Sequence, residues 1–205
     1  MVIGNFITDY LLLFIRIILF LNMLYLFPTE LEAKRFSELH PNRRVVISGV
    51  GMAATAATLA RLNARHPLAG EVVVLAGIAG AYGEECEVGG VVEVVRESVV
   101  ELPERFREEY SVEPYTSLKP VASNTVSGCG AESCGADIEN MEGATLFAMS
   151  TAMGFRAVQI RAISNRVGES FEMWHINEAL EALASELKKF DNGEQSCKIG
   201  DIALS

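Results

Sequence analysis

Asp137-Ile-Glu-Asn-Met-Glu-Gly-Ala-Thr-Leu-Phe147 and, further on, Gln159-Ile-Arg-Ala-Ile-Ser-Asn-Arg-Val-Gly168 are the two stretches from which the fold is read. The first leads into a helix predicted over 143–153, with Met141 and Glu142 at its mouth. The second is an apolar, β-rich run, predicted as a strand over 157–163, that ends in Ser164-Asn165. In open α/β sheets ligands collect beyond the carboxyl ends of strands, so a carboxylate at a helix mouth and a carboxamide at a strand end can face one pocket.

Working outward, strands and helices alternate. Strands are predicted over 24–27, 44–48, 71–75 and 121–126, with 91–100 as one bent strand or two. Helices are predicted over 29–40, with Thr29 as N-cap, over 52–64 and over 176–190. Residues 76–83 and 128–135 read as loops. The charged, proline-bearing segment 101–119 reads as a solvated excursion with at most a short helix. Strands separated by helices predict an α/β domain with a mixed, largely parallel central sheet.

Half of the 205 residues are apolar, enough for one buried core. One domain over 23–190 is therefore expected. The run from Leu11 to Phe27 is apolar but short for a membrane span and carries Arg16 and Asn22. Residues 1–22 are read as an extension outside the fold, and 191–205 as a polar tail. No stable membrane association is expected. The net charge of −10, with only 17 Lys and Arg, argues against a nucleic-acid partner and for a small molecule. Four cysteines and three histidines without paired spacing make a metal site improbable and fit reduced thiols in a cytoplasmic protein.

Gly49-Val50-Gly51 between a strand and a helix has the form of a dinucleotide loop, but a third glycine is missing, and a tight turn is the plainer reading. The small residues of Gly77-Ile78-Ala79-Gly80 let a ligand approach the backbone. Glu142 can accept hydrogen bonds from two vicinal hydroxyls, or it can simply favour the helix dipole.

In order and spacing these motifs resemble the purine nucleoside phosphorylase and methylthioadenosine nucleosidase superfamily, and within it the futalosine hydrolases of one menaquinone route. The resemblance spans about 23–190. It implies a three-layer α/β/α phosphorylase/hydrolase-like fold, an N-glycosidase activity on a purine nucleoside, no cofactor, and a homodimer or larger homo-oligomer. It also implies roles. Glu32 activates the attacking water, with Glu30 as the neighbour most easily confused with it. Glu142 holds the ribose hydroxyls with Met141 packed on the sugar, and Ile78, Ala79 and Gly80 line the pocket floor. Val126 and Ser127 lie near the base. Asn165 binds the base, and its amide pair suits a 6-oxopurine such as hypoxanthine. Leu75-Ala76 stands where phosphorylases of the superfamily place a phosphate-binding arginine, which favours water as nucleophile. Ser123, Asn124, Arg166, Glu169 and Trp174 resemble the futalosine hydrolases, the last three as contacts for a carboxylated aromatic tail. A purine nucleoside phosphorylase, a methylthioadenosine nucleosidase, and a nucleoside-binding or membrane-tethered module remain the alternatives.

Overall fold

The computed structural model describes residues 23–191. The extension expected over 1–22 and the tail beyond 191 lie outside the described residues. Strand β1 (Met23–Phe27) is buried along its whole length, and its side chains part with the two-residue period of a strand. Leu24 and Leu26 enter one apolar cluster with Val73 and Leu75, whereas Tyr25 and Phe27 enter a second with Val72 and Val74. Two helices close each cluster. Helices α2 (Met52–Arg65) and α3 (Gly143–Met153) supply Leu59, Leu146 and Phe147 to the first. Helices α1 (Glu30–Leu39) and α4 (Ile176–Asp191) supply Phe36, Leu183 and Leu187 to the second. A sheet that is apolar on both faces needs cover on both, and the result is the three-layer α/β/α architecture.

The remaining strands are β2 (Arg44–Ile47), β3 (Val72–Ala81), β4 (Val91–Val99), β5 (Glu109–Ser111), β6 (Lys119–Thr125), β7 (Ile138–Asn140) and β8 (Arg156–Arg166). Pairing is parallel for β1 with β2 and β3, β3 with β8, β4 with β6, and β6 with β7. It is antiparallel for β3 with β7, β4 with β5, and β4 with β8. The pairings β3–β8–β4–β6–β7 return to β3, so those strands close on themselves and leave no edge between them.

Strand β3 is the branch point. On one side β8 accompanies it from Val72 to Ala81. On the other, β1 keeps register only as far as Leu75, and β7 joins only at Gly80. Residues 76–79 therefore have no strand neighbour on that side, and the candidate site forms in this gap.

Three features depart from the sequence reading. The segment 76–83, expected as a loop, is strand as far as Ala81, because burial beside β8 overrides the weak β propensity of Ala and Gly. Strands β5 and β7 were not expected; each is three residues long, too short for periodicity to register. Residues 91–99 form one strand whose register against β6 shifts between Val94 and Arg96.

Candidate active site

Glu32 is placed by its own helix start. The Thr29 hydroxyl accepts the Glu32 N–H at 3.2 Å, as an N-cap does, and donates to Glu32 Oε2 at 2.6 Å. This turns the carboxylate toward the gap in the sheet, where the Ile78 N–H donates to Oε1 at 3.1 Å. Glu32 is buried while Glu30 is exposed, which separates the two glutamates. Burial pushes the Glu32 pKa up, and the hydrogen bonds from Thr29 and Ile78 and the charge of Arg161 oppose it.

Glu142 is the N-cap residue of α3, but its side chain makes no capping hydrogen bond. The helix N–H groups have other partners: Asn140 Oδ1 accepts from Glu142 and Gly143 at 2.9 and 2.7 Å, and Thr125 Oγ1 accepts from Ala144 at 2.8 Å. The carboxylate is thereby released for long-range partners. Its Oε1 accepts the Gly51 N–H at 2.9 Å and its Oε2 accepts Arg161 Nη2 at 3.0 Å. Gly49 and Gly51 have φ of 82° and 88°, a turn conformation that favours glycine. The turn spends its donor on the protein's own carboxylate.

Arg161 pairs with Glu142 and reaches Glu32 only through its charge. It is 1% exposed on β8, with Nη2 also 2.9 Å from Asn140 Oδ1 and Nη1 3.4 Å from the Ile78 carbonyl. A Cβ on Gly77 would lie 2.7 Å from both Arg161 Nη1 and Glu32 Oε1, so this glycine makes the space in which Glu32 and Arg161 meet. No role was read for Arg161 from sequence. The available signal was a lone charge within an apolar strand, which burial makes costly unless it is paired.

These groups border a pocket of about 380 Å³. Glu32, Ile78, Ala79, Gly80, Val126, Met141, Glu142 and Asn165 all line it, together with Arg161, Glu139, Asn140 and Ser164. Ser127 does not. Its N–H and hydroxyl donate to the Glu101 carboxylate at 2.8 and 2.5 Å, because an exposed acid offers both acceptors at once. Asn165 Oδ1 accepts the Ser164 hydroxyl at 2.7 Å, and its Nδ2 donates to the Arg166 carbonyl at 2.9 Å. These bonds leave one amide hydrogen and one acceptor lone pair for a ligand.

The mouth of the pocket is apolar, formed by Leu31, Val50, Phe171 and Trp174. Of the residues expected at an aromatic tail, Trp174 is here and Arg166 is not. The Arg166 guanidinium donates to the carbonyls of Gly83 and Cys86 and pairs with Glu84, since the turn at 83–86 presents free carbonyls that a planar fork can satisfy. Glu169 accepts the Arg166 N–H at 2.8 Å and shapes the following turn. Phe171, 66% exposed, was not foreseen. Ser123 and Asn124 act behind the wall: the Ser123 hydroxyl accepts from Asn140 at 2.7 Å, and Asn124 Nδ2 donates to the carbonyls of Glu132 and Ser133 and thereby ties down the loop that carries pocket-lining Cys129.

Among the described residues no cluster of three or more His, Cys, Asp or Glu has metal-ligating geometry. No helix among them is long and apolar enough to cross a membrane.

No protein-family profile matches the chain. A futalosine hydrolase of Thermus thermophilus is 29% identical over 177 residues, an overlap covering 69% of this chain and 78% of that one. Among solved structures, the 5′-methylthioadenosine/S-adenosylhomocysteine nucleosidase of Helicobacter pylori shares the fold with a TM-score of 0.71 at 13% identity, over 83% of this chain and 97% of that one. A futalosine hydrolase mutant of Helicobacter pylori does so with a TM-score of 0.69 at 12% identity, over 83% and 98%. The chain is thus similar in sequence to a futalosine hydrolase, and it shares its fold with the 5′-methylthioadenosine/S-adenosylhomocysteine nucleosidase and futalosine hydrolase structures.

Proposed function

We propose that the chain is a futalosine hydrolase, which adds water across the N-glycosidic bond of futalosine and releases hypoxanthine and dehypoxanthine futalosine. The observation that carries this reading is the meeting of Glu32 and Glu142 on either side of Arg161 above Gly77, with Asn165 on the same pocket. Cleavage of such a bond passes through an oxocarbenium-like ribosyl cation. A carboxylate that polarises water for attack at the anomeric carbon, and a second that grips the ribose hydroxyls, meet what that state requires.

Glu32 is the general base. It takes a proton from water as the carbon–oxygen bond forms and the carbon–nitrogen bond breaks into the leaving base. Glu142 accepts from the 2′- and 3′-hydroxyls, its geometry set by Gly51 and Arg161. Asn165 presents a donor to the 6-keto oxygen and an acceptor to the protonated N7 of hypoxanthine, and the proton on the departing base comes from solvent. Arg161, the one cation lining the pocket among the described residues, is committed to Glu142 and Asn140, which supports water over phosphate as nucleophile. The apolar mouth at Phe171 and Trp174 suits an aromatic substituent on the sugar. The reading carries with it a place in menaquinone biosynthesis, a cytoplasmic setting, no cofactor and a homo-oligomer.

Incubation with futalosine, aminodeoxyfutalosine, inosine and methylthioadenosine, each with and without phosphate, while free base is followed, tests the proposal. Hypoxanthine release from futalosine at a rate indifferent to phosphate is expected. Faster cleavage of the adenine nucleosides, or a strict phosphate requirement, overturns it.

A further inference from the structure

Glu97 on β4 is completely buried and lines no part of the pocket. Three side chains donate to its carboxylate: Asn140 Nδ2 at 2.6 Å, Gln159 Nε2 at 2.9 Å and Thr125 Oγ1 at 2.8 Å. Two of these donors are the residues that satisfy the N–H groups at the start of α3. The Thr125 hydroxyl gives its proton to Glu97 and so turns a lone pair toward the Ala144 N–H. The Asn140 amide gives both hydrogens away, to Glu97 and to Ser123 Oγ, which forces its Oδ1 toward Glu142 N, Gly143 N and Arg161 Nη2.

The site has no space for an alternative arrangement. A Cβ on Gly143 would fall on Glu97 Oε1 and lie 2.5 Å from Gln159 Oε1, so the glycine after Glu142 is what lets this carboxylate reach the helix start. A fully buried carboxylate is costly, and burial pushes its pKa up despite the donors around it. Apolar side chains of similar volume could fill the position at less cost, but they could not orient an amide and a hydroxyl.

We infer that Glu97 is a positioning residue for the sugar-binding carboxylate, acting through Asn140 on the Glu142–Arg161 pair and through Thr125 on the helix that carries Glu142. This rests on the reading of Glu142 as the group that holds the ribose hydroxyls. Loss of Glu97 then loosens the grip on the ribose 2′- and 3′-hydroxyls and leaves the base-activated water untouched. A purely structural role would slow all substrates alike.

The test compares futalosine with its 2′,3′-dideoxy analogue, which offers Glu142 neither hydroxyl, in the wild type and in Glu97→Gln. The wild type is expected to favour the riboside. In Glu97→Gln, kcat/KM for the riboside is expected to fall about 100-fold, the cost of misplacing a catalytic contact by about an ångström, and that for the dideoxy analogue by less than about 3-fold. The acid limb of the pH profile stays in place. A wild type that cleaves both substrates equally removes the reading of Glu142 and this inference with it. A wild type that discriminates, beside a Glu97→Gln variant that discriminates equally well, removes the inference alone. If Glu97→Gln does not fold, Glu97→Asp withdraws the carboxylate by one methylene. The same loss of discrimination is then expected, and a folded Asp variant with full discrimination overturns the inference.

Discussion

Arg161 Nη2 stands 3.0 Å from Glu142 Oε2, with both side chains almost fully withdrawn from solvent. Removing one member of such a pair strands the other charge in the interior, which costs ~3–5 kcal/mol. Arg161→Met is therefore expected to lower Tm by roughly 10 °C or more, read from the far-ultraviolet circular dichroism melt, along with loss of turnover. A Tm within about 2 °C of wild type would show that the pair contributes little to the fold.

As the proposed general base, Glu32 must be ionised to take a proton from water, and burial raises its pKa above the ordinary 4.5. The acid limb of kcat/KM is expected above the usual carboxylate range, and Glu32→Gln should remove that limb and lower kcat ~10²–10⁴-fold.

The same residue has a stability signature of definite sign. A raised folded-state pKa gives a contribution that is fully present below the unfolded value of 4.5 and lost as pH rises through the folded value. Glu32→Gln can keep both the Thr29 and the Ile78 hydrogen bonds without a buried charge. At neutral pH it is expected to be at least as stable as wild type, with the difference narrowing toward pH 4.5. Urea denaturation at the two pH values measures this; a variant markedly less stable at neutral pH would refute it.

Gly77→Ala drives a methyl to 2.7 Å from both Arg161 Nη1 and Glu32 Oε1, whereas a Cβ at Gly83 meets nothing within 4 Å. Gly77→Ala is expected to lose about 100-fold or more in kcat/KM by displacing the proposed base and its neighbouring arginine. Gly83→Ala should stay within about 0.5 kcal/mol of wild-type stability and keep full activity. Equal activity of the two variants would disprove the role of the cleared space.

Asn165→Asp replaces an amide hydrogen with a second acceptor or an acid proton. A site built to hydrogen-bond one base rejects its mismatch strongly, so the ratio of hypoxanthine to adenine nucleoside cleavage should fall ~10²-fold or more. Parallel assays on futalosine and aminodeoxyfutalosine measure the ratio, and an unchanged value would take base selection away from this residue.

Residues whose chemistry is local were legible from the chain alone. Thr29 announced the start of α1 and with it Glu32, because an N-cap and a first-turn acid are neighbours in sequence. The helix after Glu142 and the strand before Asn165 were legible as continuous apolar runs within their own stretches of sequence. Arg161 and Glu97 did not, because their meaning lies in partners on other strands: Asn140, Glu142 and Ile78 for one, Thr125, Asn140 and Gln159 for the other. Ser127 and Arg166 misled for the converse reason. Their positions along the chain suited the pocket, but Glu101 and the carbonyls of Gly83 and Cys86 hold them elsewhere.

The interval in β3 between the end of β1 and the arrival of β7 gives the protein a backbone that side chains of the pocket complete. The Ile78 N–H is answered by Glu32. An apolar replacement at position 32 thus abolishes the proposed base and also orphans a peptide group, at about 1–3 kcal/mol. Drift away from activity is penalised in folding as well as in chemistry. A descendant that had lost its substrate would still be held to a polar residue at position 32, so among relatives the shape of this pocket should outlast its use.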